Sequence, residues 1–567
     1  MRKEEKRAAG HVASPGAAGL RRHLPTLCLA ACVLLAASCS DKRGRSAGDV
    51  TRPELAESRG ASGNMNSSVV APAAQSAAQS PRPTGLYTIE GADEKAAGET
   101  YDRVAENDFV EVARAPLSTF SVDVDTASYS NTRRFLREGQ LPPADAVRVE
   151  ELINYFSYDY PQPAGGAPFS VTAEAADCPW NLRHKLVRVG LQGRRVAAED
   201  LPPANLVFLV DVSGSMQDEN KLPLVKSSLR TLAEQLSGRD RVAIVVYAGS
   251  SGLVLPSTPG DSRGEIIAAV ERLEAGGSTN GGEGLRLAYR VARENFREGG
   301  INRVVLATDG DFNVGVTSDD ELVRLVEAER GRGVSLSVLG FGMGNLKDSR
   351  MEKLADKGDG NYAYVDTLAE ARKVLGEQVG GTLHTIAKDV KVQVEFNPRL
   401  VAGYRLVGYE NRLLRDEEFN DDRVDAGEIG AGHTVTALYE IVPAGQKVRA
   451  GVDALKYQQP AAPSEAGGGE LLTVKLRYKE PGGGESKLLS VGVADTRASH
   501  LNASEDFKFA AAVAEFGMLL RDSRHKGAAT YDGALRLARA SLGPDLRGHR
   551  AEFVQLVETA RSLDARQ

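Results

Sequence analysis

Five short, almost wholly apolar runs punctuate the middle of the chain: Leu206–Val210, Val242–Tyr247, Val304–Ala307, Leu336–Gly340 and Tyr362–Val365. Between and after them lie the stretches Lys221–Leu236, Gly264–Leu273, Gly281–Phe296, Asp320–Arg332, Leu346–Asp356 and Leu368–Val379, whose patterns suit amphipathic helices. A strand that is apolar along both faces is covered on both sides. Alternation of such strands with amphipathic helices predicts a mostly parallel, doubly wound α/β (Rossmann-like) block over residues 203–381. Residues Gly252–Pro256 suggest one further edge strand.

On either side the period changes from helical to two. "DVKVQVEF", "GYRLVGYEN", "HTVTALYEIV", "LLTVKLRYKE" and "KLLSVGVAD" alternate apolar and polar positions within 382–498. Thr119–Val124, Phe169–Ala176 and Lys185–Leu191 in 98–202 have the same character. These are antiparallel strands, so the α/β block is expected as an insertion in one β-rich, sandwich-like body built from both flanks. The 98–202 segment also carries two helical patterns. In the first, Tyr129, Arg133 and Leu136 share a face and Asp125 or Thr126 is the cap; the second runs Arg148–Phe156. Asp123 and Asp125 look like half of a calcium loop, but the glycine and closing glutamate of such a loop are missing, which favours the cap. Residues 499–567 read as a helical tail. Ser504 caps a helix with Phe509, Val513, Phe516 and Leu520 on one stripe, and helices follow at Tyr531–Ala540 and Arg547–Leu563.

The first hundred residues look different. Arg21, Arg22 and His23 precede an apolar run, Leu24–Ala37, that ends through Ser38 at Cys39. A basic start, a short apolar run and small residues before a cleavage point predict an export signal over 1–38. The cysteine after small residues resembles a bacterial lipobox, with Ala36 standing where lipoproteins usually carry leucine. Cys39 is thus the expected lipidation site, and residues 39–97, rich in Ala, Ser, Gly and Pro, the expected disordered tether. Of the four cysteines, Cys28, Cys32, Cys39 and Cys178, only Cys178 then stays free, which leaves no internal disulfide. The expected location is the cell envelope, either the outer membrane or the periplasmic side of the inner one. A net charge of -7, with no basic cluster beyond the N-terminus, argues against nucleic acid as partner.

Candidate chemistry gathers at the ends of the predicted parallel strands, where open α/β sheets bind ligands. Asp211, Ser213 and Ser215 follow the first strand. Thr279 sits in the loop "GGSTNGG" before a helix, and Asp309 lies just past Val304–Ala307. Two carboxylates and three hydroxyls are hard oxygen donors, suited to Mg²⁺, or to Mn²⁺ or Ca²⁺, and unsuited to zinc or copper. Asp311 is a nearby acid that can tune such a site or simply be a solvated turn residue.

Asp-x-Ser-x-Ser, Thr in a Gly-Ser-Thr loop and Asp-Gly after a strand together resemble the metal-ion-dependent adhesion site of von Willebrand factor type A domains. The resemblance implies Asp211, Ser213, Ser215, Thr279 and Asp309 as direct or water-mediated ligands of a divalent ion, and an Asp or Glu of a partner protein as its target. The flanks "FSVDVDTASYSNTRRFLREGQLPP", "RVEELINYFSYDYP", "EFNPRLVAGYRLVGYENRLL" and "EDFKFAAAVAEFGMLLRDS" look like a bacterial lipoprotein family that carries this domain between an N-terminal extension and a C-terminal domain of unknown function. The implied function is metal-dependent protein binding on a membrane-anchored body, without enzymatic activity. The competing readings are a structural envelope protein whose metal only stabilises the fold, and a metal-assisted hydrolase. The chain lacks a His-Glu-x-x-His, a Gly-x-Ser-x-Gly and a Gly-x4-Gly-Lys motif, which weakens the hydrolase. In A domains that resemble this one the last helix can shift, so Leu368–Val379, leading into the β body, is a candidate relay.

Overall fold

The computed structural model describes residues 98–310, 312, 319–377, 383–448 and 469–566. Strands β1 (Val110–Glu111) and β2 (Leu117–Ser121) come first. Helices α1 (Ala127–Arg137) and α2 (Val149–Asn154) follow, then a long hairpin of β3 (Phe169–Cys178) and β4 (Asn181–Gly193). The α/β block runs β5 (Ala204–Asp211), α3 (Leu222–Ala233), β6 (Arg241–Tyr247), β7 (Ser251–Pro259), α4 (Arg263–Glu271), α5 (Gly281–Glu294) and β8 (Ile301–Thr308). It continues through α6 (Asp319–Arg330), β9 (Ser335–Phe341), α7 (Asp348–Lys357), β10 (Tyr362–Val365) and α8 (Leu368–Arg372).

The sheet of this block has the order β10-β9-β8-β5-β6-β7, parallel throughout except for β7, the edge strand suggested by the sequence. Every residue of β5 is buried, as a central strand covered by helices on both faces requires. One apolar layer packs α3, α4 and α8 on the sheet; the other packs α5, α6 and α7. Because β6 and β8 flank β5 on opposite sides, the chain changes winding direction at β5, and its carboxyl end is the place where open α/β sheets bind ligands.

The insertion expected from the change of period is present. After the block come β11 (Thr385–Phe396), β12 (Val401–Val407), β13 (Leu413–Leu414), β14 (Ile429–Gly430), β15 (Thr434–Pro443), β16 (Glu470–Lys479) and β17 (Lys487–Ala494). They join the N-terminal strands in two sheets, β1-β12-β15-β4-β3 and β13-β2-β11-β16-β17, which enclose one apolar core. Phe120 of β2 pairs with Val392 of β11, and Val187 of β4 with Tyr439 of β15, so each sheet is sewn from both flanks. The tail, α9 (Glu505–Leu520), α10 (Tyr531–Arg539) and α11 (His549–Asp564), shares a core with α1 and α2. Among the described residues no helix is long and apolar enough to cross a membrane.

Three local expectations need correction. Ser504 does cap α9, its Oγ accepting the Phe507 amide at 3.1 Å. The helix is not striped, however: Phe507 and every residue from Phe509 to Met518 are buried, so it runs through the middle of its layer. Thr126 occupies the N-cap position of α1, but its side chain makes no capping hydrogen bond, and Asp125 is not the cap. Asp125 Oδ1 instead accepts the backbone amide of Tyr362, an otherwise open donor on the edge strand β10. The Ser128 amide in the first turn of α1 donates to Glu151 Oε2 at 2.8 Å. Finally, the last helix of the block is not α-helical throughout: α8 ends at Arg372 and continues as a π-helix, Lys373–Glu377. The rest of the expected Leu368–Val379 helix lies outside the described residues, as do the export signal, the tether, Cys39 and Asp311.

Candidate functional site

At the carboxyl end of β5 the backbone leaves the sheet through Asp211 and enters a short 3-10 turn, Gly214–Gln217. Asp211 is fully buried. Its Oδ1 accepts the Ser213 amide at 2.8 Å, the turn that makes Asp-x-Ser compact. Its Oδ2 accepts the Tyr247 hydroxyl at 2.9 Å and that of Thr308 at 3.4 Å, one from each neighbouring strand. Burial pushes the Asp211 carboxyl up to about 6; the Ser213 hydrogen bonds oppose the shift and the charge of Asp309 adds to it.

Ser213 and Ser215 turn their hydroxyls toward each other, with 3.0 Å between the Oγ atoms. Two adjacent ligands of an octahedral ion with bonds near 2.0–2.1 Å stand about 2.9 Å apart. The serine pair therefore already has the spacing of two neighbouring vertices. The Thr279 loop is strapped to this turn by two backbone bonds: Gly276 N donates to Val212 O at 2.7 Å, and Gly214 N to Gly277 O at 3.0 Å. Thr279 is half-buried directly beyond the strap.

Asp309, fully buried, lies one residue past β8. It is followed by Gly310 at φ +99°, where a Cβ would stand 2.6 Å from the Asn345 carbonyl oxygen. Only glycine permits the chain to turn so tightly against the 345–347 backbone. Helix α5 approaches the same rim through Gly281 and Gly284. A Cβ at Gly281 would strike the Phe312 ring, and one at Gly284 would strike Tyr247. Phe312 in turn meets Tyr247 edge to face at 5.3 Å between centroids.

Of the five residues named from the sequence, the structure gathers Asp211, Ser213, Ser215 and Asp309 at one rim and sets Thr279 on the adjoining strapped loop. Sequence reading missed three neighbours. Tyr247 and Thr308 are the last residues of β6 and β8, and their alignment with Asp211 is the parallel register: Asp211 pairs with Tyr247 and Val210 with Ala307. Strand ends on either side of a marked aspartate were the available signal. The third, Lys221, lies 4% exposed and extends its Nζ to within 3.0 Å of both Asp309 Oδ2 and the Ser215 carbonyl oxygen. Nothing in the spacing pointed to it.

The donor set of neutral hydroxyls and two carboxylates fits a hard divalent ion. A second acidic group lies elsewhere. Oxygens of Asp123, Glu151 and Glu352 fall within 4.8 Å of one another. Two arginines already occupy that group. Arg412 donates to Asp123 at 3.1 Å, Glu352 at 3.0 Å and Asp356 at 2.5 Å, and Arg148 to Asp348 at 2.6 Å and to Glu151. It forms an ion-pair clasp between the N-terminal segment, α7 and the loop after β12.

The chain matches three family models in series: "von Willebrand factor" over 95–188, "von Willebrand factor type A domain" over 205–377, and "Uncharacterized protein YfbK, C-terminal" over 381–563. It is 47% identical over 470 residues to YfbK of Escherichia coli (strain K12), covering 81% of this chain and 80% of that one. It is 27% identical over 270 residues to human inter-alpha-trypsin inhibitor heavy chain H3, covering 43% of this chain and 29% of the relative. A solved von Willebrand factor type A structure from Catenulispora acidiphila aligns with 70% of this chain and 91% of its own at 16% identity and a TM-score of 0.40. The strand order and the matched model define a protein built on a von Willebrand factor type A domain, a class of protein-interaction module that commonly binds a divalent metal. More narrowly, the chain belongs to the YfbK family.

Proposed function

We propose that the chain is a protein-binding module that takes a carboxylate of its partner at a divalent cation, Mg²⁺ by preference, held by Asp211, Ser213, Ser215, Thr279 and Asp309. The observation that carries this reading is the serine pair: two hydroxyls at octahedral spacing, beside two buried carboxylates, at the winding switch of the sheet. The ion supplies an electrophilic centre with a coordination position left for an acidic side chain. Ser213 and Ser215 contribute oxygen without charge, so they do not quench that centre. Tyr247 and Thr308 hold Asp211 at one angle, and Gly310 holds the turn that presents Asp309. The export signal and lipobox read from the sequence add the location: a body tethered through Cys39 to a membrane of the cell envelope, facing envelope proteins.

The test is capture from envelope extract with Mg²⁺ and with chelator, comparing the wild type with Asp211→Ala. The expected outcome is a partner retained by the wild type with Mg²⁺ and lost with either change. Identical catches in all conditions overturn the proposal.

A further inference from the structure

The first described residues of the chain form a strap beside the site. Thr100 pairs in parallel with Lys347, and its amide donates to the Leu346 carbonyl at 3.0 Å. Glu99, its side chain 4% exposed, accepts the Gly344 amide through Oε1 at 2.9 Å. Its Oε2 accepts Arg134 of α1 at 2.8 Å and the Tyr101 hydroxyl at 2.7 Å. Gly98 lies so close that a Cβ there would collide with the Gly344 carbonyl oxygen. Because the strap runs parallel to 345–347, the chain enters it from the Gly344 end. The loop it grips also borders the site. Asn345, Leu346 and Lys347 pack against Gly310, the residue after Asp309. Gly342 packs against the stem of Lys221, whose Nζ lies 3.0 Å from the Ser215 carbonyl oxygen. One loop thus contacts both the entering chain and the residues that adjoin Asp309 and Ser215.

Just ahead of the strap, "IEGADEKAAG" carries three acids, Glu90, Asp93 and Glu94, against one cation, Lys95. We propose that this acidic stretch is a ligand in cis: one of its carboxylates takes the coordination position meant for the partner until a partner protein displaces it. The inference rests on the metal-binding reading above and names the first occupant of that site. Extended chain spans about 13 Å from Glu94 to Gly98 and about 26 Å from Glu90, enough to pass around a single loop. A connection this short holds the carboxylates at an effective concentration on the order of millimolar. A single carboxylate on a hydrated ion is a weak ligand, so the cis acid competes with others like it without closing the site for good. A partner that adds contacts around its own acid outbids it; a stray acidic side chain does not.

The test uses the full chain, with Mn²⁺ as the probe ion and acetate as the probe carboxylate. Bound Mn²⁺ speeds water-proton relaxation in proportion to the exchangeable waters it keeps. The variant Glu90→Gln/Asp93→Asn/Glu94→Gln removes the cis acids and alters no residue of the strap. The expected result is a larger relaxation enhancement per bound Mn²⁺ than in the wild type, and acetate binding tighter by at least about twofold. The variant Asp49→Asn/Glu54→Gln/Glu57→Gln removes the same charge far up the chain and is expected to behave as the wild type. If the wild type binds Mn²⁺ and the first variant matches it in relaxation and acetate affinity, the cis ligand falls and the metal site stands. Equal gains in both variants also overturn the inference, since the effect is then one of net charge. If the wild type takes up no Mn²⁺, the metal-site reading itself falls and this inference with it.

Discussion

At the scale of single residues, the site depends on groups that never touch a ligand. Gly310 is the clearest. Its left-handed backbone and its approach to the Asn345 carbonyl mean that Gly310→Ala must open the turn presenting Asp309. The expected cost is about 2 kcal/mol or more, read as a lower urea midpoint, together with loss of Mg²⁺-dependent stabilisation. Unchanged Mg²⁺ stabilisation would show that Asp309 does not depend on this turn. The sequence made Asp211, Ser213 and Ser215 legible because a polar triplet after an apolar strand is a local pattern. Tyr247 was hidden because a tyrosine ending a strand looks like any core aromatic. Lys221 was hidden because its partner, Asp309, is close only through the parallel sheet. Asp125 misled for the opposite reason: its neighbourhood in sequence suggested a cap, whereas Tyr362, far along the chain, claimed it.

At the scale of elements, period was a good guide to strands and helices and a poor one to how a helix is buried. α9 shows why. Its alanines and phenylalanines surround the axis, so no stripe exists, and the helix carries one acid, Glu515, into the interior. Burial pushes the Glu515 carboxyl up to about 8, with Arg536 opposing only in part. An acid with a raised folded pKa binds its proton more tightly in the folded chain. The stability it contributes is complete below its unfolded pKa and is lost as the pH rises through about 8. Glu515→Gln, neutral at every pH, is expected to raise stability at pH 8.5 by on the order of 3 kcal/mol and to change it little at pH 4. Denaturation at the two pH values checks this; an equal effect at both contradicts it. The end of the α/β block is the other instructive element. α8 is held by Arg133 of α1, which reaches Asp366, Glu370 at 2.7 Å and Glu552 of α11 at 3.1 Å. A helix pinned to α1 and, through Arg133, to α11 is not free to slide alone, so any relay from the proposed metal site has to move α1 or break these pairs.

At the scale of the molecule, the inserted domain is welded to its host by charge. The Arg412 and Arg148 clasp joins the N-terminal segment, α7 of the α/β block and the loop after β12. Arg412→Met would leave Asp123 buried without its cation and Glu352 with Arg148 alone, at 3.7 Å. Removal of one partner from a buried pair costs about 3–5 kcal/mol, and a urea midpoint lowered by that amount is expected. A midpoint within error of the wild type would mean the clasp holds nothing. Apart from the local Arg148–Glu151 pair, none of this was readable in the sequence, since the other acids come from distant segments. The insertion itself was readable, because the change of period on both flanks is a long-range pattern needing no contact to be seen.

The two sewn sheets also constrain the order in which the chain can acquire its structure. Thr119 and Gln393, hydrogen-bonded neighbours in one sheet, are 274 residues apart in the chain. β2 has no partner strand until the whole α/β block has been synthesised, and β11 must then be joined by β16 before its sheet has a centre. The inserted domain, with a sheet made only of its own strands, can fold while its host still waits. Long-separated pairing is slow and leaves strand edges open meanwhile. Nascent chains would therefore pass through a state with a finished domain flanked by two unfinished half-bodies, and it is there that chaperones would have most to protect.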